Sequence, residues 1–341
     1  MNKSDFEKTA EKQKPRIGIT IGDAAGIGPE IVIKALSDNN NFENYYPVLI
    51  GDATAIYKTA ELLNLKFQAR IVSEKDDLSE NVEQPTIYDL NNLTQNFAFG
   101  IESEATGRAS AENIEAAVSL WREGKIDAIA TAPISKNAIR LGGYDFPGHT
   151  EFLADLTGTK DFAMSFFAEE KLCVVLLSTH VSLTEAVKLV KTENIVKLIK
   201  FSAEHLGKIL KKEIKIAVAG LNPHASESGM FGKEEEKEII PAIEICRNNF
   251  GINVSGAYSP DTIFLRAFRG EFDAVVACYH DQATIAVKCL SFGASVNVTL
   301  GLPLIRTSVD HGTAFDIAGK GIADSSSMKA ALNLAAKLSN Y

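Results

Sequence analysis

The feature that most constrains this chain is an alternation of short, uninterrupted apolar runs with longer stretches of helical periodicity. Arg16 to Ile21, Pro47 to Ile50, Thr86 to Tyr88, Ala128 to Thr131, Lys215 to Ala219, Ala274 to Cys278 and Ser295 to Thr299 are rich in Val, Ile or Ala. Runs that are apolar on both faces suit strands buried between two layers. With amphipathic stretches between them they form βα units, so the fold class is α/β with a mostly parallel sheet. Phe162 to Phe167 and Leu172 to Leu177, joined by the polar AEEK segment, predict a hairpin and with it a partly antiparallel edge.

Among the helices, Ser110 to Glu123 places Ile114, Ala117, Val118 and Trp121 on one face, which makes Trp121 a core residue. Lys233 to Asn248 opens on KEEEKE, read as a solvated face, and is expected to bury Ile239, Ile240, Ile243 and Ile245. A length of 341 residues is a prior for two domains, and the Gly and Pro content of Gly142 to Gly148 suggests a boundary there. The first sixteen residues lack an apolar segment and read as a mobile polar tail instead of a secretion signal. No apolar run approaches the ~18 residues of a membrane span, so a cytoplasmic protein is expected.

The net charge of −9, without a long Lys/Arg run, argues against nucleic acid or an anionic membrane as the main partner. Small molecules remain. Cys173, Cys246, Cys278 and Cys289 sit singly in apolar settings, with no CxxC spacing, and read as reduced core thiols.

Three of the six histidines share a context: His180, His224 and His280 each follow an apolar strand within a few residues. Ligands of open α/β sheets collect at the carboxyl ends of strands, so this context directs the three toward one cleft. Three neutral imidazoles suit a divalent metal with open coordination positions, although a lone histidine after a strand is more often an ordinary loop hydrogen-bonder. Asp281, beside His280, and Asp261, in SPDTIF, supply carboxylates for orienting ligands or accepting a proton; Asp261 equally suits a helix N-cap. His205 lacks the context and reads as structural.

GHTEF places His149 and Thr150 at the start of a short helix, where polar atoms and helix amides receive an anion or Thr150 simply caps. Lys288, Asn297 and Arg306 are polar residues embedded in apolar stretches. Buried cations need anionic partners, either a bound phosphate or carboxylate or one of the chain's own acids. ITIGDAAGIGPE reads as strand, tight loop and helix, but its G-x-x-x-G-x-G spacing is neither the dinucleotide fingerprint nor a P-loop.

Taken together, GDAAGIGPE, TAPISK, GHTEFLA, STHVSL, GLNPHASESGMFGKEE, SPDT, YHDQ and TLGLPLIRTSVDHGTAFDIAG resemble the 4-hydroxythreonine-4-phosphate dehydrogenase family, in order from about Arg16 to the C-terminus. The resemblance implies an isocitrate/isopropylmalate-dehydrogenase-like fold with two α/β/α subdomains around a central cleft. Residues 16–147 plus 313–341 would form the first, 148–312 the second, and 1–15 a polar tail. It implies a homodimer with the active site at the subunit interface, His180, His224 and His280 as metal ligands, and His149, Thr150, Lys288, Asn297 and Arg306 as substrate-binding residues. Asp261 and Asp281 are the candidate catalytic residues.

The implied reaction is NAD(P)-dependent oxidation of 4-(phosphooxy)-L-threonine at C3, assisted by one zinc, magnesium, manganese or cobalt ion, then decarboxylation to 3-amino-2-oxopropyl phosphate for pyridoxal 5′-phosphate biosynthesis. The chain departs from the family's GEPAG, NPHAGE and YHDQG patterns at Asp23, Ala24, Ser226 and Ala283. Those departures keep open the paralogous branch that acts on 4-phospho-D-threonate or 4-phospho-D-erythronate. No residues are assigned to the nicotinamide cofactor.

Overall fold

A computed structural model describes residues 14–37, 43–73, 78, 84–93, 96–169, 171–291 and 295–340. Among the described residues twelve strands are formed: β1 (Arg16–Thr20), β2 (Tyr46–Gly51), β3 (Arg70–Val72), β4 (Thr86–Asp89), β5 (Ala128–Thr131), β6 (Ala163–Ala168), β7 (Leu172–Leu176), β8 (Ile216–Ala219), β9 (Val254–Tyr258), β10 (Ala274–Ala277), β11 (Ser295–Leu300) and β12 (Ile305–Ser308). They make one sheet, ordered β3-β4-β2-β1-β5-β12-β11-β6-β7-β10-β8-β9. The fold is thus α/β with a large central sheet, parallel from β3 to β12 and again from β7 to β9.

The hairpin forms, but not at an edge. β6 pairs antiparallel with both β7 and β11, and β7 continues into the parallel block through β10, so the reversal lies in the middle of the sheet. Its composition explains this: nearly every residue of both strands is buried, and an edge strand would leave such a face to solvent. β3, β9 and β12 escaped the sequence reading because they are short or carry polar residues; β12 buries Arg306, Thr307 and Ser308.

Helices cover both faces. Helix Glu104–Arg122 presents Ile114, Ala117 and Val118 to the sheet, with Trp121 half-buried against the same core. Gly107 lets this helix approach the one at Lys136–Leu141, since a Cβ there would sit 1.9 Å from the Ala138 carbonyl oxygen. The C-terminal helix Ser326–Ser339 serves two cores: Met328, Leu332 and Ala335 pack with the β1 region, whereas Ala331, Leu334 and Leu338 pack with the β8–β10 region. Among the described residues no helix is long and apolar enough to cross a membrane.

Several expectations are corrected. The expected tail at residues 1–13 lies outside the described residues; Pro15, which that tail included, is buried and its carbonyl accepts from the Tyr46 amide, so it belongs to the fold. KEEEKE is not wholly solvated: Glu235 is 1% exposed because its carboxylate serves the amide of Asn222. Ile240 is exposed, because one π-helical turn, Glu235–Ile239, rotates the following helix. Cys289 is exposed, unlike the three buried cysteines.

Candidate functional site

A cleft of about 900 Å³ is lined by residues from the start of helix His149–Thr157 and from β6, β7, β11 and β12 with the turns that follow them. His149, Thr150, His180, His280, Asn297 and Arg306 all line it.

Arg306 occupies the centre of this cleft wall on β12. It is 3% exposed, and its Nη1 and Nη2 donate to Thr299 Oγ1 and Thr131 Oγ1 at 3.2 and 2.8 Å. Its Nε has no partner, and among the described residues no carboxylate contacts it, Glu151 acting on its charge only at longer range. Burial lowers its pKa to about 10, so it remains a cation at neutral pH. Two further buried atoms of the same wall are orphaned, His149 Nε2 and Asn297 Oδ1. Burial, reinforced by the Arg306 charge, holds the His149 imidazole well below the usual histidine range and hence neutral.

The helix at His149 begins after Gly148 with no side-chain cap, so Thr150 does not cap as one reading of the sequence allowed. Its hydroxyl instead lies 3.4 Å from Thr299 Oγ1. Open amides, a neutral imidazole, a hydroxyl and a buried guanidinium together form a site for a compact anion.

The second feature is a histidine pair. β7, β10 and β8 are adjacent parallel strands, so His180, His280 and His224 follow three neighbouring strand ends. The His180 and His280 rings approach to 5.7 Å between centroids. His280 Nδ1 lies 2.7 Å from Asp281 Oδ1, which leaves its Nε2 for a ligand. His224 does not line the cleft. It sits exposed on a loop that carries five consecutive residues, His224 to Ser228, in left-handed conformation. Among the described residues no three His, Cys, Asp or Glu side chains gather as a metal cluster within the chain. The His180–His280 pair suits a divalent cation by donor type, with a third ligand still to be supplied.

The remaining residues fall elsewhere. Lys288 is exposed, with Nζ 4.0 Å from Asp310 Oδ2; Asp310 lines the cleft and Lys288 does not. Asp261 and Asp281 line a separate pocket of about 410 Å³ with Phe264, Tyr279 and Ile285. Asp261 is not the N-cap of its helix: Ser259 holds that place and its hydroxyl lies 2.5 Å from Asp261 Oδ1. His205 packs on Phe201, ring centroids 4.1 Å apart. Lys136, Asp310 and His311 also line the cleft. The sequence reading left them unassigned, although TAPISK and TSVDHG had been noted as motifs.

Comparison with known proteins gives consistent matches. Residues 43–335 match the family described as pyridoxal phosphate biosynthetic protein PdxA. A putative D-threonate 4-phosphate dehydrogenase of Oceanobacillus iheyensis is 47% identical over 96% of this chain and 98% of its own length. The D-threonate 4-phosphate dehydrogenase of Cupriavidus necator is 44% identical over 95% and 97%. A crystal structure of 4-hydroxythreonine-4-phosphate dehydrogenase from Klebsiella pneumoniae superposes with a TM-score of 0.86 at 38% identity, covering 96% of this chain and all of that one. With the family match over residues 43–335 and relatives of 47% and 44% identity covering at least 95% of it, the chain belongs to the PdxA family and is an oxidoreductase of the dehydrogenase type.

Proposed function

We propose that the protein oxidises the C3 hydroxyl of a four-carbon acid phosphorylated at C4, using NAD or NADP and one divalent metal ion, and that carbon dioxide is then lost. The observation that carries this reading is the buried, unpaired guanidinium of Arg306 beside the orphaned atoms of His149 and Asn297, facing an uncapped helix N-terminus. Four-carbon phosphate esters offer the compact dianion that such a cradle requires.

The substrate proposed first is 4-phospho-D-threonate, the activity in the names of whole-length relatives at 47% and 44% identity. The second is 4-(phosphooxy)-L-threonine in pyridoxal 5′-phosphate biosynthesis, which the family description and the Klebsiella crystal structure favour. Both follow one course. A bound nicotinamide would supply the acceptor for the C3 hydride; with the hydroxyl proton released, the resulting β-keto acid would lose its carboxylate as carbon dioxide. The first substrate then leaves dihydroxyacetone phosphate and the second 3-amino-2-oxopropyl phosphate.

Within the site, Arg306 neutralises the phosphate, and neutral His149, Thr150 and the helix amides donate hydrogen bonds to it. Asn297 completes the substrate contacts within the cleft, and Lys288, outside it beside Asp310, would have to swing inward to join them. His180 and His280 would hold the metal, with His224 delivered by a second copy of the chain in a homodimer. The metal would supply Lewis acidity toward the substrate hydroxyl. Asp281 orients His280, while Asp261, which lines the neighbouring pocket, stands outside the cleft.

The test offers metal-loaded protein both substrates with either nicotinamide. Reduced cofactor and carbon dioxide from 4-phospho-D-threonate in preference support the first reading. Preference for 4-(phosphooxy)-L-threonine selects the second, and no reduced cofactor from either overturns both.

A further inference from the structure

We infer that Ser178, Gln282 and Glu235 are positioning residues: a lateral row of hydrogen bonds fixes the turns carrying His180 and His280, and Glu235 fixes the loop that presents His224 to a second copy of the chain. This deepens the proposed function and rests on its metal reading.

Main-chain groups just past a strand end have lost their ladder partners and need others. Here side chains supply them from strand end to strand end. Ser178 Oγ donates to the Cys278 carbonyl at 3.1 Å, tying the β7 end to the β10 end. The Cys278 amide donates to Gln282 Oε1 and Gln282 Nε2 donates to the Gly220 carbonyl, both at 2.7 Å, which ties β10 to β8. Glu235 then accepts from the amide and the side-chain nitrogen of Asn222 at 2.7 and 2.9 Å. Ser178, Cys278 and Asn222 each stand two residues before His180, His280 and His224. The row therefore grips each turn at the same distance from its histidine.

The His224 loop has the greatest need of such a grip. Left-handed conformation costs a residue other than glycine roughly 1 kcal/mol or more, and persists only where the surroundings over-determine it. Five such residues follow one another here. Glu235 is 1% exposed and, among the described residues, pairs with no Lys or Arg.

The experiment titrates the full-length protein with Co(II) alone and follows its visible ligand-field absorption, in the parent and in Gln282→Met, Glu235→Gln, Ser178→Ala and His280→Ala. Loss of a residue that orients metal ligands typically weakens affinity about 10–100-fold. Gln282→Met and Glu235→Gln are expected to lose that much and to alter the absorption band, with Ser178→Ala shifting both in the same direction by less. Gln282→Glu, which keeps the acceptor for the Cys278 amide, restores part of the loss. A purely packing role would move the melting temperature and leave the band of the folded protein unchanged. Should Gln282→Met not fold, Ser178→Ala, which deletes one hydroxyl, carries the test. Parent-like affinity and spectrum in all three row variants, while His280→Ala loses Co(II), overturns the inference and leaves the metal reading standing. Parent-like binding in His280→Ala overturns the metal reading and the inference with it.

Discussion

The Arg306 guanidinium rests 2.8 Å from the Thr131 hydroxyl, held by neutral oxygens where a buried cation would ordinarily meet a carboxylate. Such an arrangement stores an unmet demand for an anion, and it implies that stability and binding oppose each other at this position. Arg306→Met should raise stability by about 1–3 kcal/mol, because a desolvated charge that no carboxylate contacts, with only Glu151 acting on it at longer range, is replaced by an apolar chain of similar volume. The same change should weaken capture of the phosphorylated substrate by about 2–5 kcal/mol, seen mainly in KM. Thermal melting and initial-rate kinetics on the one variant check both signs; a fall in both would show that the cradle is structural.

His149 provides a second handle, through pH. Its folded pKa lies below the ordinary histidine value, so between the two the unfolded chain binds the proton and the folded one does not. Stability from this group is present above the usual histidine range, about pH 6.5, and is lost as pH falls below it. His149→Gln should flatten that part of the denaturation-midpoint profile between pH 7 and 5. It should keep part of the anion affinity at neutral pH, since a neutral donor replaces a neutral donor. Sulfate binding, whose ligand does not titrate in this range, is the appropriate measurement.

The α/β class and nine of the twelve described strands were legible, seven because two-face apolar runs leave few alternatives to buried strands and two, β6 and β7, as the apolar arms of a hairpin. β12 was not, because its buried residues Arg306, Thr307 and Ser308 look like a loop when read alone. Polar side chains in a strand are informative only once the opposing wall, here Thr131, is known. The same limit applied to KEEEKE: nothing local distinguishes Glu235, which serves the distant Asn222 amide, from its exposed neighbour Glu236. The shared strand context did select His180, His224 and His280 and place them after adjacent strands. It could not show that the backbone around His224 turns left-handed and carries that ring away from the cleft. Spacing along a chain encodes which strands end in histidine, whereas the direction of a loop depends on the contacts it makes.

Asp23, in the loop after β1, is fully buried; its Oδ1 accepts from the Ala25 amide at 2.9 Å and its Oδ2 has no partner. Burial raises its pKa to about 6, with the nearby Glu102 charge acting in the same direction. A raised acid binds its proton more tightly when folded, so this contribution is present below about pH 4 and is lost as pH rises through 6. Asp23→Asn should therefore stabilise the protein by about 3 kcal/mol at pH 8 and by about half of that at pH 5. Urea midpoints of parent and variant at the two pH values provide the check, and an equal difference at both would remove the burial argument.

His224 permits a test of the shared site that does not depend on a structure of the dimer. If a site takes His180 and His280 from one copy and His224 from the other, His224→Ala and His280→Ala should each be inactive alone. In a mixed dimer one site then combines the intact His180 and His280 of the first variant with the intact His224 of the second, while the other site lacks both. Random reassociation makes half of the dimers mixed, each with one working site of two, so about one quarter of the parent activity should return on mixing. Measured after unfolding and co-refolding the variants, recovery near that level establishes exchange of His224 between copies. Absence of recovery, with dimers confirmed by light scattering, would mean that His224 acts within its own chain or not at all.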